Sequence, residues 1–136
     1  MPELVKFKAK LAKSGNFATA QRLFIFKYLQ QNTEVSINKL ISDLPDINQA
    51  TIYRNIKLFE RLGIVNRLQL GWHSRLELSS AFHNHHHHMT CNICGKITTW
   101  EEDSALELRI QTVAMMNGFI PQDHQLEIRG ICKACS

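Results

Sequence analysis

The sequence lacks the features that would place the chain in a membrane or in the secretory pathway. No apolar run approaches the length of a membrane span. The lysine-rich residues 1–14 contain no apolar segment typical of a signal peptide. We therefore expect a cytoplasmic protein without membrane contact. The 136 residues, 44% of them hydrophobic, suffice for one domain of ordinary size or two small ones.

The sequence also lacks the motifs of a metal-dependent hydrolase. It contains no His-Glu-x-x-His segment, and no arrangement of residues is typical of an activated nucleophile. A zinc hydrolase is therefore the least favoured interpretation of the histidines and cysteines described next.

Cysteines are few, but their spacing is specific. The four cysteines form two Cys-x-x-Cys pairs, Cys91 with Cys94 and Cys132 with Cys135. Such pairs direct two sulfur atoms at one ion, and two pairs complete the tetrahedral shell of structural Zn²⁺. Disulfides are the alternative, and the expected reducing compartment disfavours them.

Four consecutive histidines, at positions 85–88, lie just before the first cysteine pair. The run is internal, whereas purification tags are placed at termini. Because side chains alternate along a strand, His86 and His88 would share one face and His85 and His87 the other. The run therefore predicts ligands for two separate metal sites.

Each histidine pair needs further ligands. Glu77, before the predicted hinge, can join His86 and His88. His124 and an acidic cluster can complete the other pair; that cluster comprises Glu101, Glu102, Asp103 and Glu107. The alternative for the cluster is negative charge that complements a helix N-terminus, and for His124 an ordinary surface histidine. A mixed nitrogen and oxygen site binds divalent iron, zinc, manganese or cobalt reversibly, unlike the closed sulfur site.

The charge is distributed unevenly along the chain. Residues 1–83 contain twelve Lys and Arg against six Asp and Glu, whereas residues 84–136 contain four against six. A basic first half and a ligand-rich second half indicate that the first binds a polyanion and the second holds metal.

Apolar spacing predicts four helices in the first half, with caps at Thr19, Ser36 and Asn48. The fourth helix, 49–62, stops at Gly63. It presents an exposed polar face formed by Gln49, Thr51, Tyr53, Arg54 and Lys57. These residue types read base edges and bind phosphate, although an ordinary solvated helix face is the alternative.

Alternating residues 64–70 and 74–78, joined by a turn at Gly71, predict a β-hairpin after this helix. This order is typical of a winged helix-turn-helix. The second half predicts strand, strand, helix, strand and strand, with Ser104 capping a helix to Asn117 and a sheet edge available for dimerisation. We predict an α+β protein: a winged-helix DNA-binding domain (1–79), a hinge (80–84) and a small α/β metal-binding dimerisation domain (85–136).

These motifs, taken in order, resemble the ferric uptake regulator (Fur) family over nearly the whole chain. The landmarks are Thr19-Ala20-Gln21-Arg22, Ala50-Thr51-Ile52-Tyr53-Arg54, Leu76-Glu77-Leu78, the histidines before Cys91-x-x-Cys94-Gly95, Gly118-Phe119, His124 and Gly130-Ile131-Cys132. The resemblance implies DNA contacts by Tyr53 and Arg54, structural zinc on the four cysteines, and a regulatory metal on Glu77, His86 and His88. Arg22, Gln49, Thr51 and Lys57 are predicted further DNA contacts.

The resemblance also identifies departures from the family pattern. Glu34 stands where the family has a histidine ligand, and it shifts the regulatory site toward oxygen. His85, His87 and His124, with Glu107, match an additional family site. Glu77 stands where the peroxide-sensing branch has Asp and several zinc sensors have Cys, so the resemblance leaves iron and zinc open. Phe17 replaces a basic residue that reaches the minor groove.

The sequence thus predicts a homodimeric, metal-dependent repressor of metal-uptake genes that binds a palindromic, A·T-rich double-stranded operator. Zn²⁺ would be structural, and Fe²⁺ or Zn²⁺, with Mn²⁺ as an alternative, regulatory. The competing interpretation is a zinc-ribbon interaction module that does not bind DNA.

Overall fold

The computed structural model describes residues 2–83, 85–101 and 103–136, which divide into two compact units. One unit comprises Met1–Gln69 with His73–His83, and the other Leu70–Trp72 with Asn84–Ser136. Asn84 of the predicted hinge and Glu102 of the predicted acidic cluster lie outside the described residues. No helix in the described ranges is long and apolar enough to span a membrane.

In the described part of the first half, four helices precede a two-stranded hairpin. They are α1 (Pro2–Lys13), α2 (Ala20–Gln31), α3 (Ile37–Asp43) and α4 (Gln49–Arg61), followed by β1 (Val65–Leu70) and β2 (His73–Leu78). The predicted caps are confirmed: Thr19, Ser36 and Asn48 each accept a hydrogen bond from a backbone N–H in the first helical turn. Gly63, with φ +71°, follows the end of α4.

The core of this unit fixes the orientation of α4. Ile52, Ile56 and Phe59 of α4 are fully or almost fully buried. Phe59 meets the ring of Phe7 edge-on at 5.4 Å, and Phe7 stacks on Phe26 at 4.1 Å. Aromatic pairs of this kind contribute about 0.5–1.5 kcal/mol each beyond the area they bury. With one face of α4 anchored in the core, its opposite face is presented to solvent.

Residues 85–101 and 103–136 contain a sheet of three strands with the order β4-β3-β5. The elements are β3 (His86–Cys91), β4 (Ile97–Glu101), α5 (Ser104–Met116), β5 (Glu127–Gly130) and a 3₁₀ turn (Lys133–Cys135). β3 pairs antiparallel with β4 and parallel with β5. The central position of β3 brings Cys91 opposite Gly130, two residues before Cys132.

Two predictions for this half are wrong. Asp103, not Ser104, caps α5, because its carboxylate accepts hydrogen bonds from both Ala105 N (3.0 Å) and Leu106 N (3.2 Å) and its charge suits a helix N-terminus. In the described residues only one strand follows α5. The final segment forms the 3₁₀ turn instead, and this turn brings Cys132 and Cys135 to the same cluster of sulfur atoms.

Candidate metal centres and nucleic-acid interface

The four cysteines converge at one end of the sheet. Cys91 ends β3, Cys94 lies in the turn that follows, and Cys132 and Cys135 flank and close the 3₁₀ turn after β5. All four sulfur atoms lie within 4.8 Å of one another, and Cys94 Sγ is 3.7 Å from Cys132 Sγ. The arrangement is compact enough for one tetrahedral ion and for no larger group.

Backbone N–H groups point at one sulfur of this cluster. Ile93, Cys94 and Cys132 donate to Cys91 Sγ at 3.4, 3.5 and 3.4 Å. The N–H groups of Cys94 and Cys132 lower the pKa of Cys91 to about 6, against the effect of burial. The hydrogen bond with Cys132 and burial raise the pKa of Cys135 to about 12. The cluster therefore holds at least one thiolate near neutral pH, which is the form that binds metal.

A second cluster forms around a single carboxylate, Glu107 of α5. His87 Nε2 lies 2.5 Å and His85 Nε2 3.3 Å from Glu107 Oε1, and His124 Nε2 lies 2.7 Å from Glu107 Oε2. The imidazoles also face one another, with His85 Nε2 3.2 Å from His87 Nε2 and 3.0 Å from His124 Nε2. Three ring nitrogens and a carboxylate that converge on one point form a typical set of ligands for a borderline divalent metal.

The surroundings of Glu107 favour its ionised form. Burial disfavours the charge, but the hydrogen bond with His87 and the nearby imidazoles of His124 and His85 outweigh that cost and lower the Glu107 pKa. Of the other acidic residues predicted for this site, Asp103 caps α5 and Glu101 is exposed on β4. Glu107 is therefore the carboxylate that the described part of the chain brings to these histidines.

The third predicted ligand set is divided between the two units. In the first unit, Val35 and Leu76 form an isolated antiparallel bridge. This bridge places their neighbours Glu34 and Glu77 together, with a carboxylate oxygen of each within 4.8 Å of the other. Glu34 has φ 58°, the left-handed region that residues other than glycine seldom adopt. Strained backbone of this kind is concentrated at ligand-binding sites.

In the second unit, β3 supplies the other half of this set. His86 and His88 lie on one face of the strand, as predicted, with ring centroids 4.9 Å apart. His87 points to the opposite face, where the Glu107 cluster lies. The strand alternation thus separates the histidine run into two ligand pairs.

The N-terminal part of α4 carries the predicted nucleic-acid interface. Gln49, Tyr53, Arg54 and Lys57 are exposed, whereas Thr51 is half-buried and accepts a hydrogen bond from Arg54 Nη2 at 3.2 Å. An exposed helix face with amide, phenol and cationic groups matches the chemistry of base edges and phosphates.

Arg22, also a predicted DNA contact, forms hydrogen bonds within the protein. Its Nε donates to Asn55 Oδ1 at 3.0 Å and its Nη1 to the Phe17 carbonyl oxygen at 2.9 Å. Asn55, a buried residue of α4, was not among the residues predicted from the sequence. The sequence could have indicated this residue, because Asn55 is an amide among the apolar positions of an amphipathic helix. A buried amide without a hydrogen-bond partner destabilises the protein, so such a residue is expected to have one.

A winged helix joined to a small sheet that carries clusters of thiols and imidazoles defines a metal-binding transcription regulator. The chain belongs to the ferric uptake regulator family, whose family model matches residues 13–129. Members of this family are metal-responsive regulators that bind DNA and function as dimers. They are not enzymes, which removes the hydrolase interpretation and leaves the DNA-free interaction module without support.

Individual relatives agree with this assignment. The peroxide-responsive repressor PerR of Staphylococcus aureus is 35% identical over 139 residues, covering 98% of this chain and 91% of the relative. The crystal structure of the Vibrio cholerae ferric uptake regulator is 30% identical with a TM-score of 0.69, covering 90% of this chain and 96% of that one. The Pseudomonas aeruginosa ferric uptake regulator with manganese is 26% identical with a TM-score of 0.78, covering 92% and 96%.

Proposed function

We propose that this protein is a homodimeric repressor whose affinity for a palindromic, A·T-rich operator is switched on by a divalent metal at Glu34, Glu77, His86 and His88. The observation that carries the proposal is the Val35–Leu76 bridge, which holds two carboxylates together in the unit that contains α4. Each half of the ligand set is thus formed within its own unit.

The two carboxylates explain why a cation is needed. Like charges this close repel each other, so a divalent ion at this point relieves an unfavourable interaction as well as forming new bonds. An ion that takes oxygen from one unit and nitrogen from the other restricts the angle between them. A coupling of about 1–3 kcal/mol changes DNA affinity by roughly 5–150-fold. The V. cholerae relative is described as showing structural rearrangement of its DNA-binding domains, which is the kind of motion required.

The exposed face of α4 would read the operator. Tyr53, Arg54 and Gln49 enter the major groove, and Thr51 and Lys57 contact the groove edge and phosphates. In a symmetric dimer, two such helices read half-sites about one helical turn, roughly 34 Å, or a multiple of it apart. A palindromic operator matches this two-fold symmetry.

The other two clusters have different roles in this proposal. Structural Zn²⁺ at Cys91, Cys94, Cys132 and Cys135 stabilises the residues that follow β5 and β3. A further ion at His85, His87, Glu107 and His124 joins β3 to α5 and to the segment before β5. Dimer formation uses the outer edge of β5, the last strand of the sheet that the described residues form; Ile128 in this strand and Ile131 just after it are exposed.

The proposed regulatory metal is Fe²⁺ or Zn²⁺, with Mn²⁺ as an alternative. Two carboxylates and two imidazoles make a harder site than one with a thiolate. The preference for Zn²⁺ over Fe²⁺ or Mn²⁺ is therefore weaker here than at the cysteines. A peroxide-responsive relative and a manganese-bound one both resemble this chain. The target genes in this proposal are those of iron or zinc uptake.

Fluorescence anisotropy tests the proposal with a duplex selected from a random-sequence library. Binding is measured at buffered free Fe²⁺ (without oxygen), Zn²⁺ and Mn²⁺, with elemental analysis of the protein as isolated. We expect one metal to raise affinity at least fivefold, and Glu77→Gln to abolish the increase while the cysteine-bound zinc is retained. Glu3→Gln is the control, since it removes a carboxylate of α1. DNA affinity that is unchanged after chelation of the exchangeable metal would refute the proposal.

A further inference from the structure

The turn of the β1–β2 hairpin, Leu70–Trp72, belongs to the second unit, although the two strands lie almost entirely in the first. The chain therefore passes from one unit to the other at three points: before Leu70, after Trp72 and after His83. Only the last of these falls in the hinge predicted from the sequence. The hairpin turn is thus a second place where the two units are joined.

Two contacts hold this turn on the sheet of the second unit. Gly71 N donates a hydrogen bond to Glu127 Oε1 at 2.8 Å, and the Glu127 side chain is only 15% exposed. Gly71 has φ +62°, and a Cβ added to it would lie 2.8 Å from the methyl carbon of Thr90, which is buried. Real Cβ atoms do not come this close, so glycine is what allows the turn to touch β3. These two interactions together are the turn contact.

The turn rests on the face of the sheet that carries two of the proposed metal ligands. Because side chains alternate along a strand, His86, His88 and Thr90 share one face of β3. Glu127 is paired with His88 in the parallel register, and residues paired in this way direct their side chains to the same face. The residues that hold the turn are therefore neighbours of the imidazoles on one surface.

The turn also limits how far Glu77 can move from this surface. Strand β2 begins directly after the turn, and Glu77 lies five residues beyond Trp72. Even a fully extended chain of that length spans no more than about 18 Å. While the turn contact persists, Glu77 stays within that distance of the turn. Once the contact is lost, only the hinge limits the distance, and metal binding must overcome a larger loss of chain entropy.

We propose that Gly71 and Glu127 are positioning residues for the regulatory metal, because the turn contact keeps Glu77 within reach of His86 and His88. The inference rests on the proposed function, since it requires that these three residues share an ion. An ion binds the conformation in which its ligands are together, so its apparent affinity depends on the population of that conformation. The turn contact raises this population before the metal binds. It becomes redundant once the ion itself joins the ligands.

Gly71→Ala tests the inference without changing any charge. The protein is titrated with buffered free Zn²⁺, and the regulatory site is the part of the binding curve that Glu77→Gln removes. We expect Gly71→Ala to weaken this part about three- to tenfold. Gly15→Ala is the matched control, because Gly15 also has a positive φ, +80°, but an added Cβ there meets nothing within 4 Å. Its affinity for Zn²⁺ should equal that of the wild type.

DNA binding by the same variant provides a second readout. Without the exchangeable metal, Gly71→Ala should bind the library-selected duplex more weakly than the wild type does. At saturating Zn²⁺ the two proteins should agree within about twofold, because the ion then holds the ligands together. The variant should thus show a larger metal-dependent increase than the wild type, a result that general loss of structure would not give.

Two substitutions of Glu127 separate the contact from the charge. Glu127→Gln removes the charge but retains an oxygen that can accept from Gly71 N, whereas Glu127→Asp retains the charge on a side chain one methylene shorter. We expect Glu127→Asp to bind Zn²⁺ about as weakly as Gly71→Ala, and Glu127→Gln to remain close to the wild type. Hydrogen exchange of the Gly71 amide should be faster in Glu127→Asp, and Zn²⁺ should slow it in the wild type.

The opposite order of the two Glu127 variants would show that Glu127 acts through its charge alone, and would overturn the inference. So would wild-type affinity for Zn²⁺ in both Gly71→Ala and Glu127→Asp. Retention of the cysteine-bound zinc shows which variants are folded, and if Gly71→Ala is not, the Glu127 pair decides. If Glu77→Gln removes no metal-dependent DNA binding, the proposed function fails instead, so the two failures are distinguishable.

Discussion

Val35 and Leu76 exchange two backbone hydrogen bonds, Val35 N to Leu76 O at 3.0 Å and Leu76 N to Val35 O at 2.7 Å. The pair ties the loop before α3 to the second strand of the hairpin. It also sets Glu34 beside Glu77, although 42 other residues separate them in the sequence. In the proposed function, these two hydrogen bonds build the carboxylate half of the regulatory site.

Replacing Glu34 with Gly should affect stability and metal binding in opposite directions. Glycine adopts φ 58° without strain, and the change removes the repulsion with Glu77. We expect the metal-free protein to gain up to about 1 kcal/mol in free energy of unfolding, since the greater chain entropy of glycine offsets part of the relief. Affinity for the exchangeable metal should fall. Urea denaturation and competitive metal titration measure the two effects.

Glu34→Gln is the matched control, because it removes the charge but retains the backbone conformation. Its affinity for metal should fall similarly, with a smaller gain in stability. A Glu34→Gly protein that binds the exchangeable metal as tightly as wild type would remove Glu34 from the ligand set.

Cys91→Ser and His86→Ala should separate the structural metal from the regulatory one. Cys91 Sγ accepts hydrogen bonds from the backbone N–H groups of Ile93, Cys94 and Cys132, so its loss should release zinc and unfold or monomerise the protein. His86→Ala should leave a folded dimer that retains zinc but loses metal-dependent DNA binding. Gel filtration with elemental analysis distinguishes these outcomes. Identical behaviour of the two variants would contradict the division of roles.

Glu107→Gln should empty the histidine cluster without affecting the cysteine cluster. The carboxylate is the one anionic group among the described residues that converge there, and a neutral amide compensates the charge of a divalent ion poorly. We expect one equivalent of metal to be lost and the metal-free protein to be destabilised by about 1 kcal/mol, because the buried His87 then pairs with a neutral amide and no longer with a carboxylate. Elemental analysis measures the metal content, and urea denaturation measures the stability. Glu101→Gln, an exposed carboxylate of β4, should change neither.

The Tyr28–Asp43 hydrogen bond should make stability depend on pH at both extremes. The Tyr28 hydroxyl donates to Asp43 Oδ2 at 2.6 Å. This bond and one from Lys39 lower the pKa of Asp43, so its contribution is complete above the unfolded pKa of about 4 and is lost as pH falls through the folded value. Burial and Asp43 raise the pKa of Tyr28, so that contribution is complete below about pH 10 and is lost at higher pH.

The urea midpoint measured across pH tests this dependence. Tyr28→Phe should lower the midpoint between about pH 5 and pH 9 and have a smaller effect outside that window. A decrease of equal size at every pH would show that the ring, and not the hydrogen bond, is responsible.

Much of the local structure could be predicted because it depends on neighbours in the chain. The caps at Thr19, Ser36 and Asn48 could be predicted because each is a hydroxyl or amide side chain placed just before a stretch with apolar residues at helical spacing. The division of the histidine run follows from strand alternation, which needs no tertiary information. The cap of α5 was missed because Asp103 and Ser104 are both good capping residues, and only the backbone conformation selects between them.

Contacts between distant residues were harder to foresee. The pairing of Arg22 with Asn55 depends on how α2 packs against α4, and no spacing in the sequence indicates it. The same applies to the acidic residues 101, 102, 103 and 107, four candidates of the same chemistry for one ligand position. Helix geometry directs Glu107 inward, and Asp103 is used at the N-terminus of α5.

The sequence by itself determined the types of candidate metal ligand, the two faces of the histidine strand, the polar face of α4 and membership of the ferric uptake regulator family. These are properties of composition, order and short-range period. Only the tertiary structure decided that Glu107 joins His85, His87 and His124, that Glu34 lies beside Glu77, and that Arg22 is held by Asn55 and Phe17. The physical reason is that each of these contacts closes a long loop, and the packing of whole helices and strands, more than any local preference, selects which side chains then meet.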